Sequence, residues 1–576
     1  AIIIDGSPVS NNANMEGISS AMNGTSTTIA GTSTFNAGSV PNSGVDVRSI
    51  STDNIESIEV IRGIPSVQYG DLTSGAVIIN SKAGTEPLTL RFKTDPKIYQ
   101  ASLSKGFRLA PHSGSIHVST DYAYSNAKTT ESYANYRRVN LKAVYSNTFN
   151  RLTSTSSLDL RFGKDTRNPN PDDLRSRLSS GGQSYGYRIS TNGTWSANAG
   201  WLKSIRYDLS NSFTLKDSFK EQICASATSL YTNNMVDGTI VSNVPGRDYF
   251  DTNGEKITNF TQNQVEAGTF AIFMPDSYFS HYDFYSREMN TYAKIVANLF
   301  KSWGTTSSSI LAGIDFKSDG NLGRGLVYPE GTPPHSTNAD SGYRERPLYD
   351  IPFVNQFGFF AESSFKTVIL NRAFNLSAGL RYDLVERMDA LSPRINLSYE
   401  IVPRVLNLRG GYGITAKAPT ASYLHPNNAY CDQTLFNNDV QSPQDKIVIA
   451  STRIFDTSNS RLEMAKNRKL EVGLDLTIAS RYSLKITFYD ELMRNGYTFG
   501  SDFDTFVLLP FLTYTISGSD ASGNPTFDLT RADKKFFRFY KPMNTRYEHN
   551  TGVEYELNLG RFDAIRTSFF LNGAWM

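Results

Sequence analysis

The sequence predicts a mainly β protein, an antiparallel barrel that crosses a membrane, and three observations carry that prediction. The first is period-two alternation from Leu88 onward. Val139, Leu141, Ala143 and Tyr145 alternate with Arg138, Asn140, Lys142 and Ser146, and Leu470, Val472, Leu474, Leu476 and Ile478 with Lys469, Glu471, Gly473, Asp475 and Thr477. The second is a rhythm of connections. Short turns at Asn150-Arg151, Leu202-Lys203, Ser302 to Gly304, Val402-Pro403-Arg404 and Ser480-Arg481 exchange with long stretches at 164–183, 232–282, 318–354, 416–467 and 494–546. A soluble sandwich shares the alternation, but the short-then-long rhythm belongs to membrane barrels with tight turns at one end. The third is composition. Mean hydropathy is −0.36, and no run approaches the roughly twenty apolar residues of a membrane-spanning helix. Barrel strands average to a polar composition because lumen-facing residues interrupt lipid-facing ones, and an aromatic content of 12% suits two interfacial girdles.

Taken in order, residues 1–84 read as a small N-terminal domain. Ile55, Ile58, Val60 and Ile61 fit a short buried element ending at Gly63, and Val77 to Ile79 a second apolar strand. Gly63, Gly70 and Gly75 permit tight turns between them. Residues 10–50, rich in Ser, Thr, Asn and Gly, read as loops of the same domain. Such a small α/β unit has too few apolar residues to stand alone and needs a container.

Residues 85–576 read as that container. The rhythm places about seventeen strands, with 204–231 as one long strand projecting past the membrane and the last strand near Ile565 to Trp575. An odd, unfinished sheet would leave unpaired N–H and C=O groups facing lipid. Strands beyond the last residue are therefore expected. The opening at Ala1-Ile2-Ile3-Ile4, mid-strand and without a signal peptide, points to residues before it.

Lys+Arg 57 against Asp+Glu 55 give no reason to expect nucleic acid as a partner. Cys224 and Cys431 supply no disulfide framework and read as incidental, with pairing between external loops as the alternative. The six histidines lack metal-ligand spacing, Gly410-Gly411-Tyr412-Gly413 lacks nucleotide-loop spacing, and Asp251-Thr252-Asn253-Gly254-Glu255 reads as a turn. No catalytic constellation, cofactor site or metal site is expected.

Asp53 to Gly63, Tyr69-Gly70 and Ser74-Gly75-Ala76-Val77-Ile78-Ile79-Asn80-Ser81-Lys82, with Ile4-Asp5-Gly6-Ser7-Pro8 before them, resemble the second half of the plug domain of TonB-dependent outer-membrane transporters. Leu391 to Tyr399 with Leu408 to Thr420 is similar to the mid-barrel signature of that family, and Lys469 to Asp475 resembles its strand with an inward glutamate. The resemblance implies a plug inside the lumen of a 22-stranded barrel, hence about five strands and the first half of the plug beyond this chain. It further implies a multi-pass protein of the Gram-negative outer membrane, surrounded by lipid, that imports a ligand with energy from a TonB-type inner-membrane complex. It gives the plug motif as Asp5, Gly6, Glu59, Arg62, Gly63, Tyr69, Gly70 and Gly75, with an Arg62–Glu471 latch between plug and barrel; substrate residues stay unassigned. Ile61-Arg62-Gly63-Ile64-Pro65 departs from the Lys-Asp-Ala-Ser stretch of glycan and peptide importers that carry a lipoprotein lid. That departure favours a siderophore, cobalamin or other metal chelate, with the lid-type importer and a non-transporting receptor or scaffold barrel as alternatives.

Overall fold

A computed structural model describes residues 1–15, 50–73, 75–126, 129–130, 133–173, 177–225, 230–243, 250–255, 271–273, 277–329, 333, 344–438, 446–478 and 482–576. Most of the polar stretch at 10–50, and the turn expected at Ser480-Arg481, lie outside the described residues.

The N-terminal domain is a four-stranded sheet of β1 (Ile2–Ile4), β2 (Ser7–Pro8), β3 (Ile55–Ile61) and β4 (Ala76–Ser81) in the order β2-β1-β4-β3. β1 runs parallel to β4 and β3 antiparallel to it. Asp5 and Gly6, both at positive φ (50° and 85°), make the tight turn from β1 to β2. Ile3, Ala76 and Ile78 pack into a small core with Ile61 and Tyr69 against it. The expected second strand is β4. The expectation that Ile58 and Val60 are buried is corrected, because β3 is the outer strand of the sheet and these residues are 56% and 57% exposed.

Around this sheet, 18 strands are ordered as a barrel, one of them only the three residues Gly325–Val327. The other seventeen run in chain order from Thr89–Thr94 to Thr567–Trp575, matching the number read from the alternation. Antiparallel registers link each to the next, as in Asn140↔Arg161 and Gly411↔Glu471. The order closes on itself, with Thr567–Trp575 beside Thr89–Thr94, and both of these strands are largely exposed. The alternation sorts as expected. Leu141, Leu470 and Val472 are exposed on the outer face, whereas Arg138, Asn140, Lys142, Arg381 and Asp383 are buried on the inner one.

The long strand expected over 204–231 is corrected at its end: it runs Leu202–Ala225, and Leu230–Thr232 pairs instead with Ala271–Phe273 in a separate two-stranded sheet. Leu202–Ala225 pairs with the 27-residue Ser277–Trp303 over their shared length, whereas about 9–11 tilted residues suffice to span a bilayer. Loops of the long-connection end carry further strands that the rhythm did not reveal. Ile240–Ser242 pairs with Val448–Phe455, which pairs with Ala429–Asn437, and Phe506–Ser519 pairs with Pro525–Arg538. A buried ion pair, Arg344–Asp432 at 2.8 Å, ties two of these loops together. Asp251 Oδ1 accepts from the amides of Asn253 and Glu255, the turn expected there. Cys224 and Cys431 are both buried and are not joined by a disulfide.

The sorted faces generate a stability prediction. Val472→Arg, on the outer face at the middle of its strand, should destabilise the barrel by about 2–4 kcal/mol, measured by denaturant unfolding in liposomes. An unchanged midpoint would show that this face does not meet lipid.

Candidate functional site

The charged residues that strand alternation turns inward meet the N-terminal sheet at two places. At the first, the β1–β2 turn presents Asp5. Its carboxylate accepts from the Ser81 amide and hydroxyl, both at 2.8 Å, and from Lys142 Nζ at 3.1 Å, and Lys142 also pairs with Asp159 at 3.0 Å. Arg188 Nη2 donates to the carbonyls of Ile4 (2.8 Å) and Ser7 (3.1 Å). A Cβ on Gly6 would run into Asp208 Oδ1, so close approach as well as positive φ requires glycine there. Asp208 is held by Lys294 at 3.0 Å.

At the second place, residues 64–73 form a loop that reaches the opposite wall. Arg394 Nη1 donates to the carbonyls of Pro65 (3.2 Å) and Ser66 (2.6 Å), and the Val67 amide donates to Glu362 at 2.9 Å. Val67 is fully buried against Val296 and Phe360. Arg381, 1% exposed, forks between Asp315 and Asp383, both at 2.7 Å, and is the side chain that a Cβ on Gly70 would strike. Asp71 pairs with Lys317 and, at 3.5 Å, with Lys417, and accepts from the Ala418 amide at 3.1 Å. Burial alone would raise the Asp71 carboxyl. The two lysines outweigh it and hold the group well below the usual carboxylate range. Asp5 follows the same pattern, with burial opposed and exceeded by Lys142 and Ser81.

The Arg62–Glu471 latch is corrected. Arg62, its side chain 62% exposed, faces Glu554 at 3.6 Å and Glu556 at 3.5 Å. Glu471 is inward, as expected, but it pairs with Lys469 at 3.0 Å, two residues earlier on the same wall face, and Lys469 donates to the Arg62 carbonyl. A neighbour on the same strand pays little ordering entropy, so it captures the carboxylate first. Exposed pairs such as those of Arg62 contribute about 0–1 kcal/mol. The deeply buried contacts of Asp5, Asp71 and Arg381 therefore dominate the seat.

Of the other motif residues, Gly63 lies where a Cβ would stand 2.9 Å from Glu471 Oε2, and a Cβ on Gly75 would meet the Ile61 carbonyl. Tyr69 packs against the small core, with Lys294 Nζ 5.9 Å from its ring centre. Glu59 is exposed on β3, with its charge acting on Tyr69 of the loop. Lys142, Arg188, Lys317, Arg381 and Arg394 were not singled out from the sequence. Their signal was present as charged residues at every second position of apolar strands, as in Leu380-Arg381-Tyr382-Asp383-Leu384.

The seat itself opens onto a cavity of about 580 Å³, lined by Asp71, Lys317 and Arg381 together with Asn11, Tyr69 and Tyr423. No group of three or more His, Cys, Asp or Glu side chains suited to a metal ion occurs among the described residues.

Comparison with known proteins agrees with this geometry. Residues 125–574 match the family described as TonB dependent receptor-like, beta-barrel, and residues 2–77 match the TonB-dependent Receptor Plug Domain. No curated protein sequence matches. Among solved structures, the chain is similar to the siderophore receptor PirA from Pseudomonas aeruginosa (13% identity, TM-score 0.54, covering 99% of this chain and 77% of that one). It is also similar to PirA from Acinetobacter baumannii (12%, 0.56, 97% and 70%). A third is a mutant ferric enterobactin receptor from Pseudomonas aeruginosa in complex with enterobactin (15%, 0.55, 98% and 71%). At these identities the likeness is one of fold.

Two outcomes follow for the seat. Asp71→Asn should loosen it by about 3 kcal/mol, the lower part of the range for breaking a buried pair, because Lys317 keeps Asp319 at 3.3 Å. Sensitivity of cells to a large antibiotic should rise, and an unchanged sensitivity would contradict the role. Because the Asp5 and Asp71 carboxyls lie below their ordinary 3.8, their contribution is fully present above that value and lost as pH falls through the depressed ones. Proteolytic access to residues 64–73 should stay flat from about pH 7 to about pH 5 and rise only in stronger acid; a rise near pH 6 would contradict this.

Proposed function

Because the chain belongs to the TonB-dependent receptor family, with plug and outer-membrane barrel regions both matched, we propose that it actively imports a scarce, bulky ligand, a siderophore, cobalamin or other metal chelate. The ligand settles from outside into the cavity at the plug seat, and a TonB-type inner-membrane complex supplies the work that moves the plug. One observation supports this reading above the others: the plug is seated through buried ion pairs, Asp5 with Lys142 and Asp71 with Lys317, that have to be broken together. Removing a partner from one such pair costs about 3–5 kcal/mol, against a thermal energy of about 0.6 kcal/mol, so displacement calls for an external energy source.

The departure at Ile61-Arg62-Gly63-Ile64-Pro65 supports the chelate reading over import of glycans or peptides beneath a lipoprotein lid. Comparing uptake of labelled iron chelates under iron limitation with growth on glycans or peptides, in cells with and without this protein and with and without TonB, tests the proposal. The expected result is chelate uptake that requires both. Uptake of glycan or peptide instead would favour the lid-type importer. No TonB-dependent uptake of any of them would favour a receptor or scaffold barrel.

A further inference from the structure

The tight-turn end of the barrel carries a charge imbalance that seating the plug does not use. Successive tight turns at this end, from Leu109 to Val405, each have a lysine or arginine in or beside them: Arg108, Arg151, Lys203, Lys301, Arg372 and Arg404. None of these side chains has a carboxylate at ion-pair distance among the described residues. Glu400 stands nearby, but its oxygens accept from backbone amides, of Arg404 at 2.7 Å and of Ala373 at 3.5 Å. At the long-loop end basic residues are matched, Arg344 with Asp432, Arg453 with Asp237 and Lys541 with Asp502, each at 2.8 Å.

One of the unmatched charges is built into a cluster. Lys301 shares the outer face of its strand with Ile295 and Leu299, since side chains two apart point the same way, and Ile295 is exposed there. Lys301 Nζ lies 4.4 Å from the ring centre of Trp201 and 5.4 Å from that of Trp303, and the two indoles meet edge to face at 6.0 Å. Both indoles are exposed. Lys203 stands two residues from Trp201 on the paired strand, its Nζ donating to the Gly200 carbonyl at 3.2 Å. Indoles exposed on a barrel wall settle at headgroup level, and a cation on that face costs much at the bilayer midplane and little at the interface. The cluster therefore lies at the depth of lipid phosphates.

Position and charge select the occupant. An acidic partner in water reaches the turns, but not a lysine held between two indoles on the lipid-facing wall. A zwitterionic headgroup brings an ammonium that Lys203 and Lys301 repel, whereas a phosphodiester of an uncharged alcohol brings only the negative charge they lack. We propose that Trp201, Lys301 and Trp303, with Lys203, bind the phosphate of an anionic phospholipid in the leaflet at the tight-turn end. The proposal goes beyond import and needs only the barrel's place in a membrane.

The test uses the full chain with Trp195→Phe and Trp575→Phe, which leave Trp201 and Trp303 as its tryptophans. It is placed in phosphatidylcholine bilayers with increasing fractions of brominated phosphatidylglycerol or brominated phosphatidylcholine. Bromine quenches neighbouring indoles, so the two curves give a relative affinity. Phosphatidylglycerol should be preferred about fivefold or more at low salt, the effect of one lysine near an anionic surface. Raising salt to about 1 M, where screening acts within about 3 Å, should bring the preference close to unity. Lys301→Gln combined with Lys203→Gln should do the same without moving the melting temperature, and Lys301→Arg should keep the preference. If the double variant misfolds, Lys203→Gln alone and the salt series decide. Equal quenching by the two lipids, a preference unchanged in the folded glutamine variants, or one that survives high salt would overturn the proposal. So would displacement by inorganic phosphate at constant ionic strength, which would mark a site for the free ion. Import without lipid preference would sink this inference alone; lipid preference in a protein that imports nothing would leave it standing.

Discussion

The structure depends on charges removed from water and paired between the plug and the barrel wall. The plug sheet has only a small apolar cluster around Ile3, Ala76 and Ile78, so its packing against itself is slight. What holds it is the barrel wall: Lys142 and Arg188 at the β1–β2 turn, and Lys317, Arg381, Arg394 and Glu362 at residues 64–73. Several of these contacts go to backbone carbonyls and amides, so they fix the position of the loop whatever side chains it carries. Such contacts are directional and lose strength steeply with displacement. A plug held in this way is therefore either seated or released, with little between.

The same constraint shapes the wall. A strand that meets lipid on one face and a polar plug on the other must alternate strictly, and a one-residue slip would turn Arg381 and Asp383 toward lipid. Glycines at the inner face let the plug approach closely. At Gly379, Gly411 and Gly413 a Cβ would crowd Val67 or Ile64 of the plug. Close approach excludes water from the ion pairs, which strengthens each of them. Beyond the membrane this constraint lapses. There the loops build apolar clusters of their own, such as Leu435, Phe436, Ile449 and Phe527.

The barrel was legible in the sequence because a two-residue period with long and short connections has one physical reading, and the positions of Leu470, Val472 and Glu471 follow from it directly. The plug strands were legible from local apolar runs, but the burial of Ile58 and Val60 was not, since strand order within a sheet is a long-range property. Ion-pair partners were the least legible. Arg62 and Glu471 each find other partners because pairing depends on how far a flexible side chain reaches and on which neighbour stands nearer, and Lys469 stands nearer. The short strands of the external loops were hidden for a related reason: pairs such as Ile240↔Ser451 join segments far apart in the chain, with no local period to announce them.

The central claim is that buried charge pairs, more than apolar contact, seat the plug. A double-mutant cycle on Asp71 and Lys317, with Asp71→Asn, Lys317→Met and the double variant, tests it most directly when the force needed to extract the plug is read by pulling on its N-terminus. The account predicts a strong coupling, with the double variant much less damaged than the sum of the singles and an interaction of at least about 1.5 kcal/mol. Additivity to within about 0.5 kcal/mol would contradict it.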